Sequence, residues 1–111
     1  MTFVRERIEF GDYIGFISAF TCFEIYRGLK SGRENAKNLM SLFHEVPVDC
    51  HIAEKASDIL KKYSLGEGDT LVAATSLITG SHYLVTWNRR DYQRVEGLSV
   101  LTPQEDLERF D

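Results

Sequence analysis

The sequence predicts an α/β fold, a mostly parallel β-sheet flanked by helices on both faces. Two observations predict it. Short apolar runs of strand length alternate along the chain with segments whose apolar residues recur every three or four positions, the helical spacing. The segment Leu71 to Ile78 is apolar on most sides, so it must lie buried between layers. No linker, repeat or charge block divides the 111 residues, and a single domain over 1–111 is the economical reading.

The elements follow in order. Met1 to Asp12 mixes charge with apolar residues and reads as the end of a helix and a connection. Ile14 to Ala19 is too short for a helix and reads as a buried strand. Thr21 then opens a helix, with Glu24 three residues on as in a capping box, and the helix ends near Gly28 or at Ser31-Gly32. Ala36, Leu39, Met40 and Phe43 place a second helix over Arg33 to His44. Val46 to Val48 is a short strand and Asp49 caps the next helix. There Ile52, Ala53, Ala56, Ile59, Leu60 and Tyr63 form the strongest helical pattern in the chain, broken by Gly66 and Gly68. Asp69 starts the apolar helix and Gly80 stops it. Tyr83 to Val85 is a strand, Arg89 to Val95 a short helix, and Ser99 to Leu101 a last strand. Thr102-Pro103 begins a C-terminal amphipathic helix.

Composition narrows the function. The longest apolar runs fall well short of a bilayer span, and no signal peptide is visible, so a cytoplasmic protein with no membrane partner is expected. Cys22 and Cys50 are too few and too far apart for a disulfide framework and read as small buried hydrophobes. A net charge of −4 argues mildly against indiscriminate nucleic-acid binding. It is compatible with a nuclease whose metal-binding carboxylates sit beside a basic groove, for which Arg27, Lys30, Arg33, Arg89, Arg90 and Arg94 are candidates.

Three polar clusters fall at candidate rim positions: Thr21 with Glu24 and Asn88 with Asp91 follow predicted strands, and Asp69 begins the buried helix. In open α/β sheets ligands gather at the carboxyl ends of the strands, so parallel strands would bring all three to one rim. Converging carboxylates repel one another unless a cation neutralises them, and oxygen ligands select Mg²⁺ or Mn²⁺. Phosphodiester hydrolysis suits such a site. Each residue also has a plainer role: Glu24 in a capping box, Asp69 as an N-cap, Asn88 and Asp91 in a turn. His44, His51 and His82 lack metal-ligand spacing, Gly66 and Gly68 lack the lysine of a phosphate loop, and Trp87 either stacks on a base or covers the core edge.

The stretch Gly68 to Pro103, GDTLVAATSLITGSHYLVTWNRRDYQRVEGLSVLTP, resembles the C-terminal half of VapC-type PIN domains. There an Asp opens a helix of the form D-x-x-I-A-A-T-A, followed by a strand L-V-T, then x-N/D-x-x-D/H-F and G-L-x-V. Ile17 to Gly28, ISAFTCFEIYRG, resembles the family's S-x-x-T-x-x-E-x-x-x-G motif. The resemblance implies a metal-dependent endoribonuclease. It makes Glu24 and Asp69 the second and third acidic positions, with Glu24, Asp69 and Asp91 toward Mg²⁺ or Mn²⁺ and Asn88 completing the site. It also implies an RNA substrate, a homodimer and a small VapB-like antitoxin. One departure stands at the front: the family's short apolar first strand, ending in Asp-x-Asn or Asp-x-Ser, is missing, and Asp12 is a poor substitute because no apolar run precedes it. Loss of that strand should leave backbone groups of its neighbours unpaired and remove one carboxylate. Two other readings stay open, a catalytically inactive PIN fragment and an unrelated α/β ligand-binding domain.

Overall fold

The computed structural model describes residues 3–7, 13–81 and 83–105. In chain order these form β1 (Phe3–Arg7), β2 (Tyr13–Ser18), α1 (Ala19–Gly28), α2 (Arg33–Met40), β3 (His44–Val46), α3 (Cys50–Lys62), α4 (Glu67–Thr79), β4 (Tyr83–Val85), α5 (Arg89–Tyr92) and β5 (Val100–Leu101). The sheet order is β3-β2-β1-β4-β5. β2 pairs parallel with β3, and β4 parallel with β5. β1 runs antiparallel to both β2 and β4. Two strands antiparallel to the same third share a direction, so four of the five strands run one way and the α/β sheet is mostly parallel, as expected.

The centre of the sheet corrects one expectation. No apolar strand ending in Asp is present among the described residues, yet the slot between β2 and β4 is filled. Residues 3–7, expected as helix end and connection, are β1: Val4 is in register with Phe16 of β2 and with Leu84 of β4. The reason lies in the backbone. Two strands flanking a gap present unpaired donors and acceptors, and a nearby stretch of chain satisfies them whichever way it runs. The unpaired edges expected from a missing strand are therefore paired.

Local chemistry accounts for the helix ends. Asp49 caps α3 as expected, its carboxylate accepting the Ile52 N–H at 2.9 Å. Gly80 ends α4 in the left-handed region, φ 66°, where a side chain would be strained. The capping box expected at Thr21 and Glu24 is not there. Ser18 caps α1 instead, accepting from the Phe20 N–H at 3.1 Å, so the helix is already under way at Thr21. The same T-x-x-E spacing does close a box at the chain's end. Thr102 Oγ1 accepts from the Glu105 N–H and Glu105 Oε1 from the Thr102 N–H. Arg89 donates to both oxygens of Glu105, and these bonds, led by that from the Thr102 N–H, hold the Glu105 carboxyl below its usual value. Of the expected C-terminal helix, residues 103–105 are helical and the rest lies outside the described residues.

Smaller shifts separate expectation from structure. α2 stops at Met40 rather than His44, because β3 begins at His44, ahead of the Val46 to Val48 run. α4 begins at Glu67, so Gly66 is its N-cap while Gly68 and Asp69 lie within its first turn. α5 ends at Tyr92, short of Val95. Of the cysteines, both free, Cys22 is half-buried and Cys50 is exposed at the start of α3. Asp12 and His82 lie outside the described residues.

The core is built where α3 packs on α4 and α4 packs on the sheet. Ile52, Ala56 and Ile59 of α3 meet Val72, Ala73 and Ala74 of α4, with Leu84, Tyr92 and Val95. α4 is buried nearly all round, as its composition requires. Its hydroxyls stay satisfied within the helix: Thr75 Oγ1 donates to the Leu71 carbonyl and Thr79 Oγ1 to that of Thr75. No helix among the described residues is long and apolar enough to cross a membrane.

Candidate metal centre

The shared direction of β2 and β4 puts their carboxyl ends, Ser18 and Val85, on one edge of the sheet. From the first end, Ser18 turns the chain into α1. Glu24 follows on that helix, exposed, with one oxygen 3.8 Å from the Arg27 guanidinium. From the second end, the buried Thr86 hydroxyl accepts the Asn88 N–H at 3.0 Å and fixes the turn into α5. Asn88 N-caps α5 by position, with no side-chain cap bond, and Asp91 lies within the helix, 3.8 Å from Arg94.

Asp69 comes from a third element, the first turn of α4. α4 reaches α1 here because residue 68 has no side chain. A Cβ at Gly68 would stand 2.4 Å from the Phe20 ring of α1, far inside van der Waals contact. Gly68→Ala should therefore lower stability by about 1 kcal/mol net: overpacking of ~1–3 kcal/mol exceeds the helix-propensity gain of up to about 1 kcal/mol. Urea unfolding tests this, and a more stable variant would contradict the close approach.

One of the acids, Asp69, is held by a tyrosine. The Tyr92 hydroxyl donates to Asp69 Oδ1 at 3.0 Å. Burial, first, and then the Asp69 carboxylate push the Tyr92 phenol above its ordinary range, with smaller contributions from Glu24 and Asp91. Asp69 of α4 thus bonds to that hydroxyl, while Glu24 of α1 and Asp91 of α5 act on it at longer range through their charge. Asp69 is not the cap of its helix, and Glu24 is not half of a capping box, so the plainer roles open from sequence are not the ones they fill.

A hard divalent cation suits this donor set in chemistry: the groups are carboxylates and an amide, without sulfur or imidazole. One buried oxygen beside Ser18, Thr21 Oγ1, has no hydrogen-bond partner among the described residues. The set does not close into a cage, since no three His, Cys, Asp or Glu side chains among the described residues stand close enough to hold an ion. Mg²⁺ commonly rests on one or two carboxylates and keeps its waters, so a closed cage is not required of it.

Comparison with known proteins now decides the family. The chain matches the PIN domain over residues 3–98. It belongs to the PIN-domain family. Against solved structures, this PIN domain is similar to a chain of a toxin-antitoxin complex from Klebsiella pneumoniae. The TM-score is 0.69 at 27% identity, over 78% of this chain and 72% of that one. No curated protein matches it. PIN domains generally use divalent metal ions.

Ser18, Gly68 and Tyr92 escaped the sequence reading. Ser18 stands in the S-x-x-T-x-x-E motif and could have been found as the cap. Gly68 reads from sequence as a helix breaker, and nothing local marks it as a contact point. Tyr92 occupies the aromatic position of x-N/D-x-x-D/H-F, where its hydroxyl was the available signal. Among the basic candidates, Arg27 lies over Phe23, Arg33 over Tyr26, and Arg94 donates to the Ser64 carbonyl. Lys30 and Arg90 are exposed. Trp87 is 68% exposed and does not cover the core edge.

Proposed function

We propose that this PIN domain, acting as a single domain in the cytoplasm, is a VapC-like endoribonuclease that hydrolyses RNA phosphodiester bonds with Mg²⁺ or Mn²⁺. Glu24, Asp69 and Asp91 are the residues offered to the metal, and Asn88 completes the site. The observation that carries the reading is the hydrogen bond from the Tyr92 hydroxyl to Asp69, with the charges of Glu24 and Asp91 felt at the same hydroxyl, in a PIN domain. A divalent cation held there would supply neutralising charge and lower the pKa of a bound water. The chain's own residues do the rest. The Thr86–Asn88 turn fixes the backbone that carries Asn88, Arg90 and Lys30 offer charge to the RNA backbone, and Trp87 offers an exposed face to a base. The toxin-antitoxin complex among the similar structures supports a small VapB-like antitoxin as partner, and the family resemblance supports a homodimer.

The test is Mn²⁺-dependent cleavage of single-stranded RNA by the purified chain, with and without residues encoded upstream of Met1. Glu24→Gln should lower the rate on the order of tenfold, as loss of one charge near a metal does. If Glu24→Gln and Asp69→Asn both cleaved at the unmutated rate, the assigned site would be wrong. The absence of a three-ligand cluster among the described residues favours one second reading, an inactive PIN domain that retains only an antitoxin-binding or dimerisation surface. It predicts antitoxin binding without cleavage in either form.

A further inference from the structure

We propose that Tyr92 is a positioning residue for Asp69, holding one carboxylate oxygen so that the other is presented to the cation. The inference rests on the metal-site reading above and extends it to a residue outside the acidic set. Tyr92 is 1% exposed and packs in the core with Val72, Leu84 and Val95, so its ring is held by close contacts. A hydroxyl in such a place costs about 1–3 kcal/mol unless it is hydrogen-bonded. Phenylalanine would fill the pocket without that cost, and it is the residue at this place in the pattern the chain resembles. The hydroxyl here donates to Asp69 Oδ1 at 3.0 Å. Held by its packed ring and bonded to Asp69, the hydroxyl acts as a fixed donor. That bond engages Oδ1, and Asp69 Oδ2 is the oxygen this arrangement offers to a metal. Groups that orient a metal-bound carboxylate by hydrogen bonding typically set affinity by about 10–100-fold.

Calorimetric titration of the whole chain with Mn²⁺ tests this, comparing wild type, Tyr92→Phe and Asp69→Asn. Tyr92→Phe keeps the ring and should bind Mn²⁺ about tenfold more weakly, while its metal-free melting midpoint stays within about 2 °C of wild type. Asp69→Asn keeps an acceptor for the hydroxyl and should lose binding. A Tyr92→Phe variant with wild-type Mn²⁺ affinity overturns the proposal, whether its midpoint holds or falls, because the hydroxyl then serves packing alone. If wild type itself binds no Mn²⁺, the metal-site reading fails first and takes this inference with it.

Discussion

Asp69→Asn should reduce Mn²⁺-dependent RNA cleavage by on the order of a hundredfold or more while leaving the fold intact. The substitution is nearly isosteric and retains a carbonyl oxygen, so the Tyr92 hydroxyl keeps its acceptor. What is lost is one negative charge at the rim. Charge stabilisation at a metal centre is worth several kcal/mol, and each ~1.4 kcal/mol is tenfold in rate. Stability should move little. Losing a favourable charge in the first turn of α4, worth about 0.3–1 kcal/mol, is offset by relieving repulsion from Glu24 and Asp91. The pairing of an unchanged melting curve with a collapsed rate is the expected signature. An Asp69→Asn variant that cleaves normally would remove Asp69 from the site.

The largest loss of stability is expected from Leu84→Ala. Leu84 is fully buried in β4, in register with Val4 on one side and Val100 on the other, and its N–H donates to the Ser99 carbonyl at 2.8 Å. Strand partners on both sides and α4 packed against β4 leave the neighbours little room to collapse into the space. Truncation should cost about 2–5 kcal/mol, a large share of the ~5–15 kcal/mol that holds a domain of this size together. The melting midpoint should fall by on the order of 10 °C. Circular dichroism melts would show it, and a fall of only a degree or two would mean that the β4 core is looser than its burial indicates.

What was legible in the sequence divides along physical lines. The α3 face, the Asp49 cap, the Gly80 stop and the β4 strand were readable because each is set by local chemistry: periodicity, one hydrogen bond, one backbone angle. That Glu24 and Asp91 lie beyond one edge of the sheet was readable because β2 and β4 lead there into helices. β1 was not, since nothing local in FVRER dictates a strand, and the pairing is imposed by β2 and β4 on either side. Two matching T-x-x-E spacings could not be told apart either. Which one closes a box depends on where the preceding strand ends, and Ser18 decides that for α1. The Tyr92–Asp69 bond joins residues 23 positions apart and needed the packing of α4 on the following elements to appear.

The reversed direction of β1 has a practical consequence for handling the protein. Phe3, its first residue, is in register with Val85, the last residue of β4. The polypeptide therefore enters the sheet at the same edge that carries Glu24, Asp69 and Asp91. Anything fused ahead of Phe3 is tethered beside those carboxylates, and a polyhistidine tag there would compete for the very cation being assayed. Purification handles belong at the other terminus.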